Sequence, residues 1–233
     1  RRQRQMCIRD RYNSDGSQAE MCGNGIRCVG KFVYDKGLTK KETITVETLA
    51  GIKTLVMTAK NGKIETARVD MGEPILEPEK IPVISNENPV KNLKLEVENK
   101  DFTFTCVSMG NPHAVTFIKE DVNKFDICKY GAKLEVNKAF PKKANIEFIN
   151  VIDDKTLKMR VWERGSGITQ ACGTGACATA VAAFINGLAG RKSDVIMDGG
   201  TVTVEWDETS GHILMTGPAT KVFDGEIVEK VES

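Results

Sequence analysis

The chain carries almost no net charge: 33 Lys and Arg offset 32 Asp and Glu, leaving a formal +1. Without a strong positive field, neither a nucleic acid nor an anionic membrane surface is indicated as a partner. No apolar run approaches the ~18 residues that a membrane-spanning helix needs. The start, RRQRQMCIRDR, is basic but leads into no apolar stretch, so it does not read as a secretory signal. The seven cysteines are odd in number and include no Cys-x-x-Cys pair. They are spread over 233 residues, enough chain to bury a core without disulfide staples. A reducing, cytoplasmic setting with free thiols is the expectation.

What is present is an internal echo. "MCGNGIRC" (21–28) and "QACGTGAC" (170–177) each place Cys-Gly-x-Gly ahead of a helix-compatible run. With Cys22 aligned on Cys172, Gly23 meets Gly173, Gly25 meets Gly175, Gly37-Leu38 meets Gly187-Leu188, and Tyr12 meets Trp162. Gly37 and Gly187 stand where a helix C-cap is expected. A second echo, "VDMGEP" (69–74) and "LMTGPA" (214–219), closes a β-rich run in each half. Short alternating segments predict strands at "ETITVET", "KTLVMTA", "LKLEVEN", "FTFTCVS", "TLKMRVWE", "TVTVEW" and "HILMTG". The fold class expected is therefore α/β (α+β): two similar lobes related by a pseudo-two-fold axis.

Residues 1–11 are aperiodic and read as an extension foreign to the fold. The repeat divides the rest into a first lobe, 12–75, completed by 219–233, and a second lobe, 76–218. Roughly seventy residues of strand and loop precede Cys172 in the second half, against about ten before Cys22 in the first. On that internal comparison the sequence is expected to be N-terminally truncated.

The chemistry of the repeated turn follows from helix ends. The first amides of a helix lack intrahelical acceptors, and the helix dipole adds positive potential there. Glycines let a ligand approach the backbone, so such a turn suits a carboxylate or phosphate. A cysteine at the same place is expected to have a lowered pKa. Two such turns facing each other would hold one carboxylate with a sulfur on each side of its α-carbon. One sulfur could remove the α-proton and the other return a proton to the opposite face. Cys28, Cys177, Cys106 and Cys128 are expected to be small buried hydrophobes instead. Zinc is disfavoured because the spacings are CxxxxxC and CxxxxC without a nearby His. A dinucleotide site is disfavoured because the lone Gly-x-Gly lacks its third glycine and acidic partner.

The segments "NSDGSQAEMCGNGIRC", "MGNPHAV", "NIEF" and "WERGSGITQACGTGACA" together resemble the diaminopimelate epimerase family, over residues 12–233. The resemblance implies lobes built as strongly curved, mostly antiparallel sheets, each wrapped around a central helix. It implies interconversion of LL- and meso-diaminopimelate in lysine and peptidoglycan precursor biosynthesis, with no cofactor and no metal. Cys22 and Cys172 match the catalytic pair. Gly23, Asn24, Gly173 and Thr174 match the cradle for the reacting carboxylate. Asn13, Asn111, Asn145 and Arg164 match residues that hold the rest of the substrate. Glu163 matches the group that meets the reacting amino group, and His113 and Glu163 match groups that tune the cysteines. The partner implied is this small molecule, with no nucleic acid and no membrane, and a homodimer is compatible with it.

The resemblance also implies an early "GND" loop and a glutamine that precede residue 12, and Ile168 stands where the family usually carries Glu. Two other readings remain. Proline racemases and hydroxyproline epimerases use two cysteines, but carry His where this chain has Asn24 and lack the "ERGSG" pattern. A non-catalytic fragment that binds a dicarboxylate weakly is the third reading.

Overall fold

The computed structural model describes residues 23–48 and 51–225. Helix α1 (Gly23–Asp35) opens this part of the chain, followed by strands β1 (Thr43–Thr48), β2 (Gly51–Lys60) and β3 (Lys63–Asp70). Then come β4 (Leu93–Val97), β5 (Lys100–Ser108), β6 (Pro112–Phe117), helix α2 (Ile127–Glu135), β7 (Asn145–Val151), β8 (Thr156–Glu163) and β9 (Gly167–Thr169). Helix α3 (Gly173–Ile185) precedes β10 (Lys192–Met197), β11 (Gly200–Trp206) and β12 (Ile213–Pro218).

The strands form one sheet in the order β1-β2-β3-β12-β11-β10-β8-β7-β6-β5-β4, with β9 branching from β8. Pairing is antiparallel except at β8–β10 and β6–β7. The architecture is the mixed α/β type expected, with helices α1 and α3 set against its two arms. The two Met-Gly echoes pair with each other. β3 and β12 run antiparallel, Val69 opposite Met215 and Thr66 opposite Pro218, so the sheet passes from one half to the other without a break.

Both repeated helices end in the same way. Gly37 and Gly187 each adopt φ +69°, a left-handed conformation that glycine takes without a Cβ clash. Gly37 N–H donates to Tyr34 O and Leu38 N–H to Val33 O. Gly187 N–H donates to Phe184 O and Leu188 N–H to Ala183 O. These are the two bonds of a Schellman cap, made twice at matching positions of the repeat.

α3 carries no charge and lies in the main core with Val107, Ile149, Val161, Val195, Val204 and Met215. α1 is amphipathic, and Gly30 lets it sit close to β2: a Cβ there would meet Leu55 Cδ2 and Met57 Sδ at 2.9 Å. A second core gathers Phe102, Phe104, Phe125, Phe140 and Phe148 beneath α2. α2 was not among the expected elements. It is nine residues long, begins at an Asp126 cap that accepts from Lys129 N–H, and packs Gly131 directly on Trp162.

Cys106 and Cys177 are buried as expected, whereas Cys28 and Cys128 are exposed. The correction has a simple geometric cause at Cys28. The buried stripe of α1 runs through Gly23, Ile26, Arg27 and Gly30, and position 28 turns away from it.

Candidate active site

The N-termini of α1 and α3 face each other at contact distance. A Cβ built on Gly23 would lie 3.6 Å from Gly173 Cα, and one on Gly173 would lie 3.4 Å from Gly23 Cα. Met215 packs against both glycines and Met71 against Gly23, so the two Met-Gly echoes floor the same junction. The repeated turns, 150 positions apart in sequence, thus meet in space at their first glycines. Cys22 and Asn13 lie outside the described residues.

Cys172 is the N-cap of α3, with extended φ/ψ of −124° and 109°. Its sulfur accepts from Gly175 N–H at 3.4 Å, the role a Ser or Asp oxygen usually fills. Thr174 Oγ1 lies 3.5 Å from the same sulfur. The expectation of a lowered pKa is reversed at this cysteine. Burial pushes the thiol well up, and the Glu163 and Glu147 carboxyls add to the effect. The Thr174 hydroxyl and Gly175 amide only partly oppose them. A helix N-terminus lowers a thiol's pKa most where solvent helps to carry the charge, and Cys172 is only 5% exposed. Cys177, one turn deeper in α3, is pushed up to about 12 by burial.

Asn24 reaches from α1 to the other turn, donating to Ala171 O at 3.5 Å, and accepts from Arg27 at 3.2 Å. Arg27 is itself buried and donates to Gly23 O at 3.2 Å and Pro218 O at 3.3 Å.

On the other side of Cys172, β6 and β7 supply His113 and Glu147, both with fully buried side chains. Their Nδ1 and Oε1 atoms are 2.6 Å apart. His113 Nε2 meets Asn111 Oδ1 at 2.9 Å, and Asn111 Nδ2 donates to Thr174 Oγ1 at 3.3 Å. Burial pushes the Glu147 carboxyl up while His113 opposes it. Glu147 was not among the expected site residues, although "NIEF" contains it. A glutamate between Ile146 and Phe148 was the available signal, and it is 0% exposed.

The "ERGSG" turn is held from below. Glu135 accepts from Trp162 Nε1 at 2.8 Å and Gly165 N–H at 3.1 Å. Asn145 accepts from Arg164 N–H and donates to Pro112 O, each at 2.9 Å. Asn145 is therefore tied to backbone on both sides, joining the "NPH" strand to the Arg164 turn. Arg164 is exposed, and its guanidinium donates to Lys142 O at 3.3 Å. Glu163 accepts from the Thr169 hydroxyl and acts electrostatically on Cys172. Asn24, Asn111, His113, Glu163, Gly173 and Thr174 are thus linked to the helix junction through contacts or charge. Asn145 and Arg164 are hydrogen-bonded to each other, and Asn145 also to Pro112 next to His113; no contact of theirs reaches the helix junction itself among the described residues.

One large mixed sheet with few helices defines the fold class, which is that of solved proteins of the epimerase and racemase type. The fold is similar to that of a hydroxyproline epimerase from Agrobacterium vitis solved with trans-4-hydroxy-L-proline (TM-score 0.61, 15% identity, 88% of this chain and 65% of that one). It is also similar to a Pseudomonas aeruginosa protein described as a predicted epimerase (TM-score 0.63, 14% identity, 92% and 77%). The profile of the diaminopimelate epimerase family matches residues 1–77 and 105–222. The diaminopimelate epimerase of Methanococcus maripaludis (strain C5) is 59% identical over 216 residues, which cover 93% of this chain and 78% of that protein. The chain belongs to the diaminopimelate epimerase family. Among the described residues, no helix is long and apolar enough to cross a membrane.

Proposed function

We propose that the chain epimerises LL-diaminopimelate to meso-diaminopimelate by acid/base chemistry between Cys22 and Cys172. The observation that carries this reading is the contact of Gly23 with Gly173, which sets the two helix N-termini on one small volume. The amides at Gly23-Asn24 and Gly173-Thr174 hold the reacting carboxylate, where both helix dipoles favour negative charge. Cys172, buried beside two carboxyls, is poised as a thiol and therefore as a proton donor. Its partner in the inversion is Cys22. With two sulfurs supplying acid and base, the inversion needs neither a metal nor pyridoxal phosphate. Glu163 meets the reacting ammonium. Arg164, Asn111, Asn145 and Asn13 hold the remainder, with the Arg164 fork on the distal carboxylate. Asn145 is held for this by its bonds to Pro112 O and Arg164 N–H, which leave one amide N–H and one oxygen lone pair over.

Of the segment 219–233 expected to complete the first lobe, residues 226–233 lie outside the described residues, and we read 219–225 as returning to that lobe. The bond from Ala219 N–H to Glu65 O, at 3.4 Å, supports this.

The test is incubation with LL-diaminopimelate in deuterated water, followed by chiral chromatography and mass spectrometry. The expected products are the meso isomer and one solvent deuteron at the inverted α-carbon. Proline and lysine are expected to turn over very poorly, because each leaves Arg164 without its second carboxylate. Comparable turnover of proline and diaminopimelate would move the chain to the proline racemase reading. Binding without any exchange would leave the fragment reading.

A further inference from the structure

Glu147 and His113 lie behind Cys172, and the proton transfer described above uses Glu147 only as one of the two carboxyls beside the sulfur. Both side chains are wholly buried, and among the described residues Glu147 Oε2 has no hydrogen-bond partner. A bare carboxylate with one oxygen unpaired in an apolar interior is strongly disfavoured, so the pair as a whole is held uncharged. An uncharged pair shares two protons: one on the 2.6 Å link between Nδ1 and Oε1, the other on His113 Nε2. That assignment fixes the direction of every bond beyond it. Nε2–H donates to Asn111 Oδ1, the Asn111 amide donates to Thr174 Oγ1, and the Thr174 hydroxyl proton is left to point at Cys172 Sγ.

We propose that Glu147 is a positioning residue that sets the polarity of the chain Glu147–His113–Asn111–Thr174 so that it ends as a hydrogen-bond donor to the Cys172 sulfur. The proposal rests on the reading of Cys172 as an acid/base group, but concerns the state of its sulfur. A donated O–H stabilises the thiolate and so offsets the burial that opposes it. Without a partner at Nδ1, the imidazole proton is held at Nε2 by Asn111 alone, and it can pass to Nδ1 when that amide turns over. Asn111 then turns its amide toward the bare Nε2, and the Thr174 hydroxyl is drawn to Asn111 Oδ1, away from sulfur. The same carboxyl explains Gly175: a Cβ there would lie 2.9 Å from Glu147 Oε1 and 3.3 Å from Cys172 Sγ. The charged or titratable groups facing Glu147 are His113 on β6, Glu163 at the end of β8, Cys106 on β5 and Cys172 at the head of α3.

The experiment is the pH dependence of Cys172 alkylation by iodoacetamide, read by peptide mass spectrometry on variants whose fold is checked by circular dichroism. Thr174→Val should raise the midpoint by about one pH unit, a tenfold loss of thiolate, and Thr174→Ser should restore it. Glu147→Leu should raise it in the same sense, and the double variant Glu147→Leu/Thr174→Val should go no further than Thr174→Val alone. Glu147→Gln should stay within about 0.3 unit of the parent, because its amide N–H replaces the shared proton on Nδ1. An unmoved midpoint in Glu147→Leu, or additive shifts in the double variant, would overturn the proposal. Should Glu147→Leu fail to fold, Glu147→Gln decides: a midpoint lowered by about one unit would show that Glu147 acts as a bare charge, not through the chain. Epimerisation that survives in Cys172→Ala would instead sink the functional reading and leave this titration interpretable.

Discussion

Helices α1 and α3 begin with the same turn and end with the same glycine cap, yet they live in different surroundings. α3 buries Gly173, the run Gly175–Ala183 and no charge, while α1 buries only Gly23, Ile26, Arg27 and Gly30. α1 also exposes Phe32 and Cys28 and carries Lys31 and Asp35 near its end, with Lys36 just beyond it. The repeat therefore preserves the helix ends and lets the middles diverge. The ends position backbone amides at the site, a task both halves share. The middles answer only to local packing, a wide sheet around α3 and the β2–β3 pair against α1.

The comparison breaks most sharply at the sulfurs. If the two turns are equivalent in chemistry, Cys22→Ala and Cys172→Ala should each lower epimerisation by about a thousandfold or more, since inversion needs a group on each face. Chiral product analysis checks this, and near-normal epimerisation in either variant would refute the equivalence. A middle-sized effect concerns the positions that do not match. Cys28 and Ala178 occupy the same place in the repeat, one exposed and the other 0% exposed. Ala178→Leu should overpack the core and cost about 1–3 kcal/mol. Cys28→Leu should change stability by no more than about 0.5 kcal/mol. Urea denaturation followed by circular dichroism measures both, and equal effects would mean the two helices are packed alike.

The smallest effect expected is at the seam between the halves. His212 Nδ1 contacts both oxygens of Asp70, at 3.0 and 2.9 Å. Partial burial pushes the Asp70 carboxyl up, but His212 and the Gly72 amide outweigh it and hold the carboxyl below its ordinary value of 3.8. A depressed folded pKa adds stability above the unfolded value, near 3.9, and that stability is lost as pH falls through the folded value. Asp70→Asn should therefore be less stable than the parent at neutral pH and converge with it below about pH 4. Melting temperature against pH is the readout, and a gap that persists into acid would assign the effect to shape, not charge.

Much of this was legible in the residues. The Cys-Gly-x-Gly pair, the capping glycines and the alternating strands are local signals, and each depends on a few neighbouring side chains. What escaped depends on partners far along the chain. α2 is short and stands through its Asp126 cap and the fit of Gly131 on Trp162, a contact that no window of sequence contains. Glu147 declares its role only beside His113, on the strand parallel to its own. Cys28 and Cys177 sit in matching helices, and their opposite burial is decided by what covers each face. Asn145 illustrates a further limit. Its residue type suits substrate or backbone equally, and in the structure its amide serves backbone.

The seam has a consequence for the order of assembly. β3 finds its second neighbour only in β12, and the Asp70–His212 contact across that join spans 142 positions. During synthesis the early hairpin must wait, one edge unpaired, until nearly all of the chain has emerged. Pairings of such long range are slow to form, because loop closure is paid in entropy before the contact returns it. An unpaired early edge is also where another copy of the chain can dock by mistake. The continuity that holds the two halves in register thus makes the docking of β12 the step on which correct folding depends.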